Sequence, residues 1–134
     1  MANEWTKVEL YGANNDGSPR RYTVASGTAI AKGTLLAMTD GRTAIAHSSA
    51  DQAIAGVAAM DKSATDYSTS ISAWTDGIFE AVASGAIPVG YPLASGIAAN
   101  VVKERTLGTS GALVLGYAME TSAEGETINV RLRL

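Results

Sequence analysis

His47 is the single histidine of the chain, and Asp51 follows it four residues on. The pair offers a general base or part of a metal site. Zinc wants three or four protein ligands, so one imidazole and one carboxylate are too few. A Ser/His/Asp arrangement is formally open, because serines are plentiful. No Gly-x-Ser-x-Gly elbow occurs, however, and Gly108-Thr109-Ser110-Gly111 does not match one. His47 therefore reads as a surface histidine. Asn14-Asn15-Asp16-Gly17 has the composition of a calcium loop. It lacks the alternating oxygen ligands and the closing Glu, and reads as a plain turn. Asp61, Asp66, Asp76 and Glu80 are scattered, with nothing to pair them as acid and base. No glycine-rich phosphate cradle is present. Trp74 is either a ligand platform or a packing residue ahead of a turn, and the second reading is the commoner. The residues imply no catalytic set, no metal and no cofactor.

The aromatics suggest a different chemistry. Trp5 and Tyr11 stand in an N-terminal stretch otherwise made of polar residues and turn formers. Aromatic side chains carry much of the energy at protein interfaces. Residues 1–21 thus read as an arm, and residues 22–134 as one β-rich domain. Glu4 to Tyr11 forms a strand with Trp5 and Tyr11 on one face and Val8 and Leu10 on the other. Gly12 to Arg20 has no periodicity and reads as a flexible loop. The arm is either a frayed end or a segment that orders on a partner.

The 134-residue length fits one domain. There are no cysteines, which excludes disulfides and thiolate chemistry. The net charge of −3 is mild, and no basic cluster exceeds Arg20-Arg21 or Lys103-Glu104-Arg105. That argues against a nucleic-acid partner. No apolar run is long enough to cross a membrane as a helix, and the N-terminus has no secretory pattern. The expectation is a protein made in, and at first folded in, a cytoplasm. Gly, Ala, Ser and Thr are abundant, so each side chain buries little area. Chains of that kind often complete their burial against neighbours.

Turn signals recur every 8–12 residues or so, which predicts an all-β sandwich or barrel of short strands and hairpins with little helix. Asp40-Gly41 and Asp76-Gly77, each between apolar runs, predict hairpins with tight turns. Ile78, Glu80 and Val82 alternate with Phe79, Ala81 and Ala83, and with so little charge the strand reads as covered on both sides. Arg21 to Ser26 predicts a first body strand with Tyr22 and Val24 inward. Ala53 to Met60 reads as a strand in spite of its alanines, because Gly56 would weaken a helix there. Asp61 to Ser70 reads as a polar loop. Ile97 to Arg105 fits a strand or a helical turn or two. Thr106 to Gly111 reads as a loop and Ala112 to Met119 as a buried strand. The last run points Ile128, Val130, Leu132 and Leu134 inward and Asn129, Arg131 and Arg133 outward. Ile30-x-x-Gly33-x-x-Leu36 returns as Ile87-x-x-Gly90-x-x-Leu93. The two copies read as equivalent corners of one compact body.

The order Val24-x-Ser26, Ile30-x-x-Gly33-x-Leu35, Asp40-Gly41, Ile54-x-Gly56-Val57-Ala58, Gly77-x-Phe79-x-x-x-Ala83-Ser84-Gly85-x-Ile87-x-x-Gly90 resembles the decoration, or cement, proteins of tailed-virus heads. The likeness runs over roughly residues 22–95 and is a pattern of glycines and apolar positions. It implies a barrel or sandwich of β-tulip type, similar in style to the lambda head decoration protein. It also implies a homotrimer on the outside of an HK97-type head, bound to the major capsid protein and bracing the shell against internal pressure. An N-terminal arm pairs with shell strands in several such proteins. On that resemblance the capsid-facing residues are Trp5, Val8, Leu10, Tyr11, Arg20 and Arg21. The Ile-x-x-Gly corners are also similar to β-clip and lipoyl-like barrels, so fold likeness alone does not decide function. Two other readings stand beside it. One is another virion surface module, a head-fibre base or glycan-binding domain, which aromatics clustered around a groove would favour. The other is a small enzyme using His47.

Overall fold

The computed structural model describes residues 3–105 and 114–134. The described residues contain strands and no helix. They are β1 (Thr6–Leu10), β2 (Arg20–Thr23), β3 (Leu35–Asp40), β4 (Thr43–Ala46), β5 (Ile54–Ala58) and β6 (Ser70–Trp74), followed by β7 (Asp76–Ala83), β8 (Pro92–Ser95), β9 (Val101–Glu104), β10 (Gly116–Ala118) and β11 (Thr127–Arg133). Strands β2-β4-β3-β5-β6 close into a barrel. Strands β7, β11, β10, β8 and β9 form a sheet that the β7–β9 pairing closes in turn, with β1 added to the edge of β7.

The two barrels have one topology, partner for partner. β2 runs parallel to β4 at Thr23 and Thr43, as β7 runs parallel to β9 at Val82 and Val101. Leu36 faces Gly56, and Leu93 faces Gly116. Ile30 bridges Lys62, and Ile87 bridges Ser122. Gly33 and Gly90 both take positive φ, 90° and 84°, and their N–H groups donate to Ala58 O and Ala118 O. The repeated Ile-x-x-Gly-x-x-Leu is therefore the same corner built twice, once in each barrel.

Barrel geometry accounts for the small-residue composition. A five-stranded barrel is narrower than the eight-stranded kind whose interior is just filled by side chains. Its inside takes Ala44, Ala55, Ala58 and Ala73 around Tyr22, Val24, Ile30, Leu36 and Ile71 in the first ring. On the opposite face of β3, Leu35 and Ala37 join Trp5, Ile54, Val57, Trp74 and Phe79 in a larger cluster. That cluster continues into the second ring through Leu93, Val102, Val130 and Leu132. The barrels are thus packed through a shared core.

Several expectations hold. β5 is fully buried, and its Gly56 lies so close to β6 that a Cβ would meet Trp74 O at 2.5 Å. β11 buries Ile128, Val130 and Leu132, while Leu134 lies beyond the strand and is exposed. Of the Ile97–Arg105 run, Val101–Glu104 is strand β9, and the residues before it form a bend and turn with no helix. The hairpin after Asp40 is present, but the turn is Gly41-Arg42, with the positive φ of 54° on Arg42.

Others need correction. Asp76-Gly77 is not a hairpin turn. It lies inside β7, paired to Leu132 and Arg133 of β11 and to Leu10 of β1. β6 belongs to the first barrel and β7 to the second, and Thr75 alone joins them. Each strand finds its partners in its own ring, and pairing along the whole of β7 with β11 outweighs a local turn. Gly77 is needed for close approach, since a Cβ there would sit 2.5 Å from Glu9 O. β7 is covered on one face, with Phe79, Ala81 and Ala83 buried and Glu80 exposed. In the run read as a buried strand, Tyr117 and Met119 are 41% and 39% exposed, and the strand is limited to Gly116–Ala118. Ala112 and Leu113, like the loop expected at Thr106–Gly111, lie outside the described residues.

Candidate functional site

The N-terminal stretch is folded onto the chain itself. β1 pairs antiparallel with β7, and Val8 is the extra residue of a bulge between Lys7 and Glu9. A bulge reverses the inward-outward parity. Trp5 and Leu10 therefore both face the core, while Val8 is 51% exposed. The following loop is hydrogen-bonded, not free: Gly17 N donates to Tyr11 O, and Thr75 N donates to Gly17 O. Tyr11 lies under the Arg131 guanidinium at 4.6 Å, and Arg131 is paired with Asp76 at 2.6 Å. Arg20 and Arg21 are exposed on β2, with Arg21 Nη1 donating to Ser70 Oγ. The six residues expected at an interface therefore do not converge. Trp5 is a core residue, and Val8, Arg20 and Arg21 are the exposed ones.

His47 is buried, not on the surface. Its Nδ1 accepts from Asn100 N at 3.1 Å, so the proton sits on Nε2, which donates to the carbonyls of Gly96 and Ser49. Asp51 is paired with Lys103, not with His47. Asn100 completes the junction. Its Oδ1 accepts from Leu35 N, and its carbonyl accepts from Trp5 Nε1, both at 2.8 Å. One buried node thereby ties β1, the first barrel and the second. Sequence spacing could not reveal it, because the partners are scattered from residue 5 to residue 100.

Burial holds the His47 imidazole below its ordinary pKa of 6.5. A proton on Nδ1 would also face the Asn100 N–H, donor against donor. The unfolded chain binds a proton that the folded chain resists. The group's contribution to stability is complete above pH 6.5 and is lost as pH falls below it. Unfolding free energy should decline as pH falls below about 6.5, by at most about 1.4 kcal/mol per pH unit from this imidazole. Denaturant melts of the parent and His47→Gln check this. Equal acid slopes in the two would remove His47 as the cause.

The described surface carries several open clefts. One of about 290 Å³ is lined by Trp5, Thr6, Lys7, Lys32 and Trp74. Trp74 packs on Phe79 at 5.7 Å, as its packing role requires, and is also the wall of this cleft. A second, of about 280 Å³, is lined by Gly90, Pro92, Val114, Gly116, Tyr117 and Arg133. A third shares Val114 with it and adds Arg20, Met38 and Leu134. Among the described residues no group of three or more His, Asp or Glu is placed to hold a metal ion.

Fold and surface define an all-strand module of two matched barrels with shallow clefts on its outside. The family described as phage cement protein matches residues 20–134, and the chain belongs to that family. Among solved structures the chain is similar to the N base of the head fiber protein gp8.5 of bacteriophage phi29, at 20% identity and a TM-score of 0.54. The likeness covers 85% of this chain and 93% of that one. No curated protein matches the chain.

Proposed function

We propose that this protein decorates the outside of a phage head built on an HK97-type shell, binds the major capsid protein as a trimer, and braces the shell against genome pressure. Its role on this reading is structural, in the virion, after assembly in the host cytoplasm. The observation that carries it is the phage cement family match over residues 20–134. β1 lies outside that span and ends the six-stranded sheet, with β7 on one side only. Its exposed Thr6 to Glu9 supports a role for residues 1–21 as the shell-facing element on a body of residues 22–134. An open strand edge offers backbone hydrogen bonds to an added strand, and many repeated sites let modest contacts sum.

Binding to expanded, undecorated heads of the cognate phage tests this. Saturation at a fixed ratio per shell subunit and a higher head rupture temperature are expected. Deleting residues 2–20 would also strip Trp5 from the core, so Val8→Asp is the cleaner probe of β1. Unaltered binding by Val8→Asp would keep the function and discard the edge. Failure of the parent chain to bind would sink the capsid reading. A second reading, a head-fibre base, draws support from the architecture shared with the phi29 fiber base and from exposed Tyr91 and Tyr117 near the Gly90–Arg133 cleft. Saturable binding to a glycan array, lost in Tyr117→Ala, would favour it.

A further inference from the structure

The cleft beside β1 holds an unbalanced pair of cations. Lys7 Nζ and Lys32 Nζ lie 5.9 and 5.7 Å from the centroid of the same Trp74 ring. Both lysines are exposed. Neither ammonium has a carboxylate within ion-pair distance among the described residues, where the ion pairs are Lys103–Asp51 and Arg131–Asp76. The cleft they share is lined by Trp5, Thr6 and Trp74 and contains no acidic side chain. Two like charges converge here on a chain whose net charge is −3. The indole face satisfies each of them in part. Asp61 accepts from the Lys32 backbone N–H at 2.7 Å, outside the cleft lining and in no ion pair with either ammonium. A carboxylate entering between them would gain from both ammonium groups, beside a largely buried aromatic wall that limits solvent screening. The cleft also touches Thr6 and Lys7, so a chain laid along the open side of β1 would pass its mouth.

We propose that this cleft receives an Asp or Glu side chain from an extended acidic segment of the shell protein, which rests on the capsid-binding reading above. Lys7 and Lys32 supply the charge, and Trp74 holds the two ammonium groups in place. Sequence patterning offered no signal for this, because the three residues come from β1, the first Ile-x-x-Gly corner and β6.

The test has two arms. In the first, Lys7→Gln, Lys32→Gln and the double variant are titrated onto undecorated heads over a range of salt. Each single change should weaken binding by about fivefold and the double by about twentyfold, with a flatter salt dependence. Parent-like binding by the double variant overturns the cleft and leaves the capsid function standing. Failure of every protein, the parent included, strikes the function itself. The second arm needs no head. A hexaglutamate peptide is added to the free protein while indole fluorescence is recorded, with hexaglutamine as control. A saturable change with hexaglutamate alone, lost in the double variant, supports the site. No saturable change, or the same change in the double variant, overturns it. Thermal midpoints within a few degrees of the parent confirm that the variants fold.

Discussion

Gly116→Ala is expected to abolish the folded second barrel. The position is buried in β10, opposite Leu132 of β11 and Leu93 of β8. A Cβ there would lie 1.6 Å from Arg131 O and 2.8 Å from Arg131 C. Those are backbone atoms of the paired strand, so no rotamer change relieves the clash. The strands must separate, and β11 would lose its pairing with β10 and the seating of Val130 and Leu132 in the shared core. The loss should exceed about 4 kcal/mol, the exceptional end of single substitutions. Against a typical total of about 5–15 kcal/mol, most of the molecules would be unfolded or aggregated in the worst case. The matching Gly56→Ala meets Trp74 O at 2.5 Å and should cost less, in the same direction. Circular dichroism and amide NMR dispersion of the purified variants check this. A Gly116→Ala protein that unfolds cooperatively within about 1 kcal/mol of the parent would refute the strand spacing described above.

Asn100→Ala should carry the second largest loss. The side-chain carbonyl satisfies the buried N–H of Leu35, a residue with no exposure at all. Removing it strands that donor, at about 1–3 kcal/mol. Asn100 also holds φ at 65°, which an alanine adopts at a cost of about 1–2 kcal/mol. The sum is about 2–5 kcal/mol. Asn100→Gly removes the same acceptor but not the conformational fit, so it should be the more stable of the two variants by about 1 kcal/mol. Denaturant melts of the three proteins separate the two contributions. Equal stability of the Ala and Gly variants would discount the backbone effect. An alanine variant within about 0.5 kcal/mol of the parent would discount the node. The Trp5 Nε1 and His47 Nδ1 contacts use main-chain groups of residue 100, so they remain available in both variants.

The residues themselves determine much of this protein. Alternation and turn spacing specify the all-strand class, the terminal strand and the inward set Ile128, Val130 and Leu132. They do so because a strand's side chains alternate faces whatever its partner. The duplicated Ile-x-x-Gly-x-x-Leu marks the two corners, since a glycine at positive φ between two buried apolar residues leaves its pattern in one dimension. The cement-protein likeness, read from glycines and apolar positions, agrees with the family to which the chain belongs.

Other features depend on which strand each segment meets. Asp76-Gly77 has the chemistry of a turn, yet lies within a strand because its neighbours belong to different barrels. Trp5 looks like an interface anchor, and packing on Phe79 with a bond from its Nε1 to the Asn100 carbonyl makes it core. His47 follows a strand and looks exposed, but the loop before β9 closes over it. The Lys7–Lys32–Trp74 cleft joins residues 25 and 42 positions apart, from three elements. Local pattern encodes which face of a strand is apolar. It carries nothing about long-range pairing, which alone decides what that face covers and which charges it brings together.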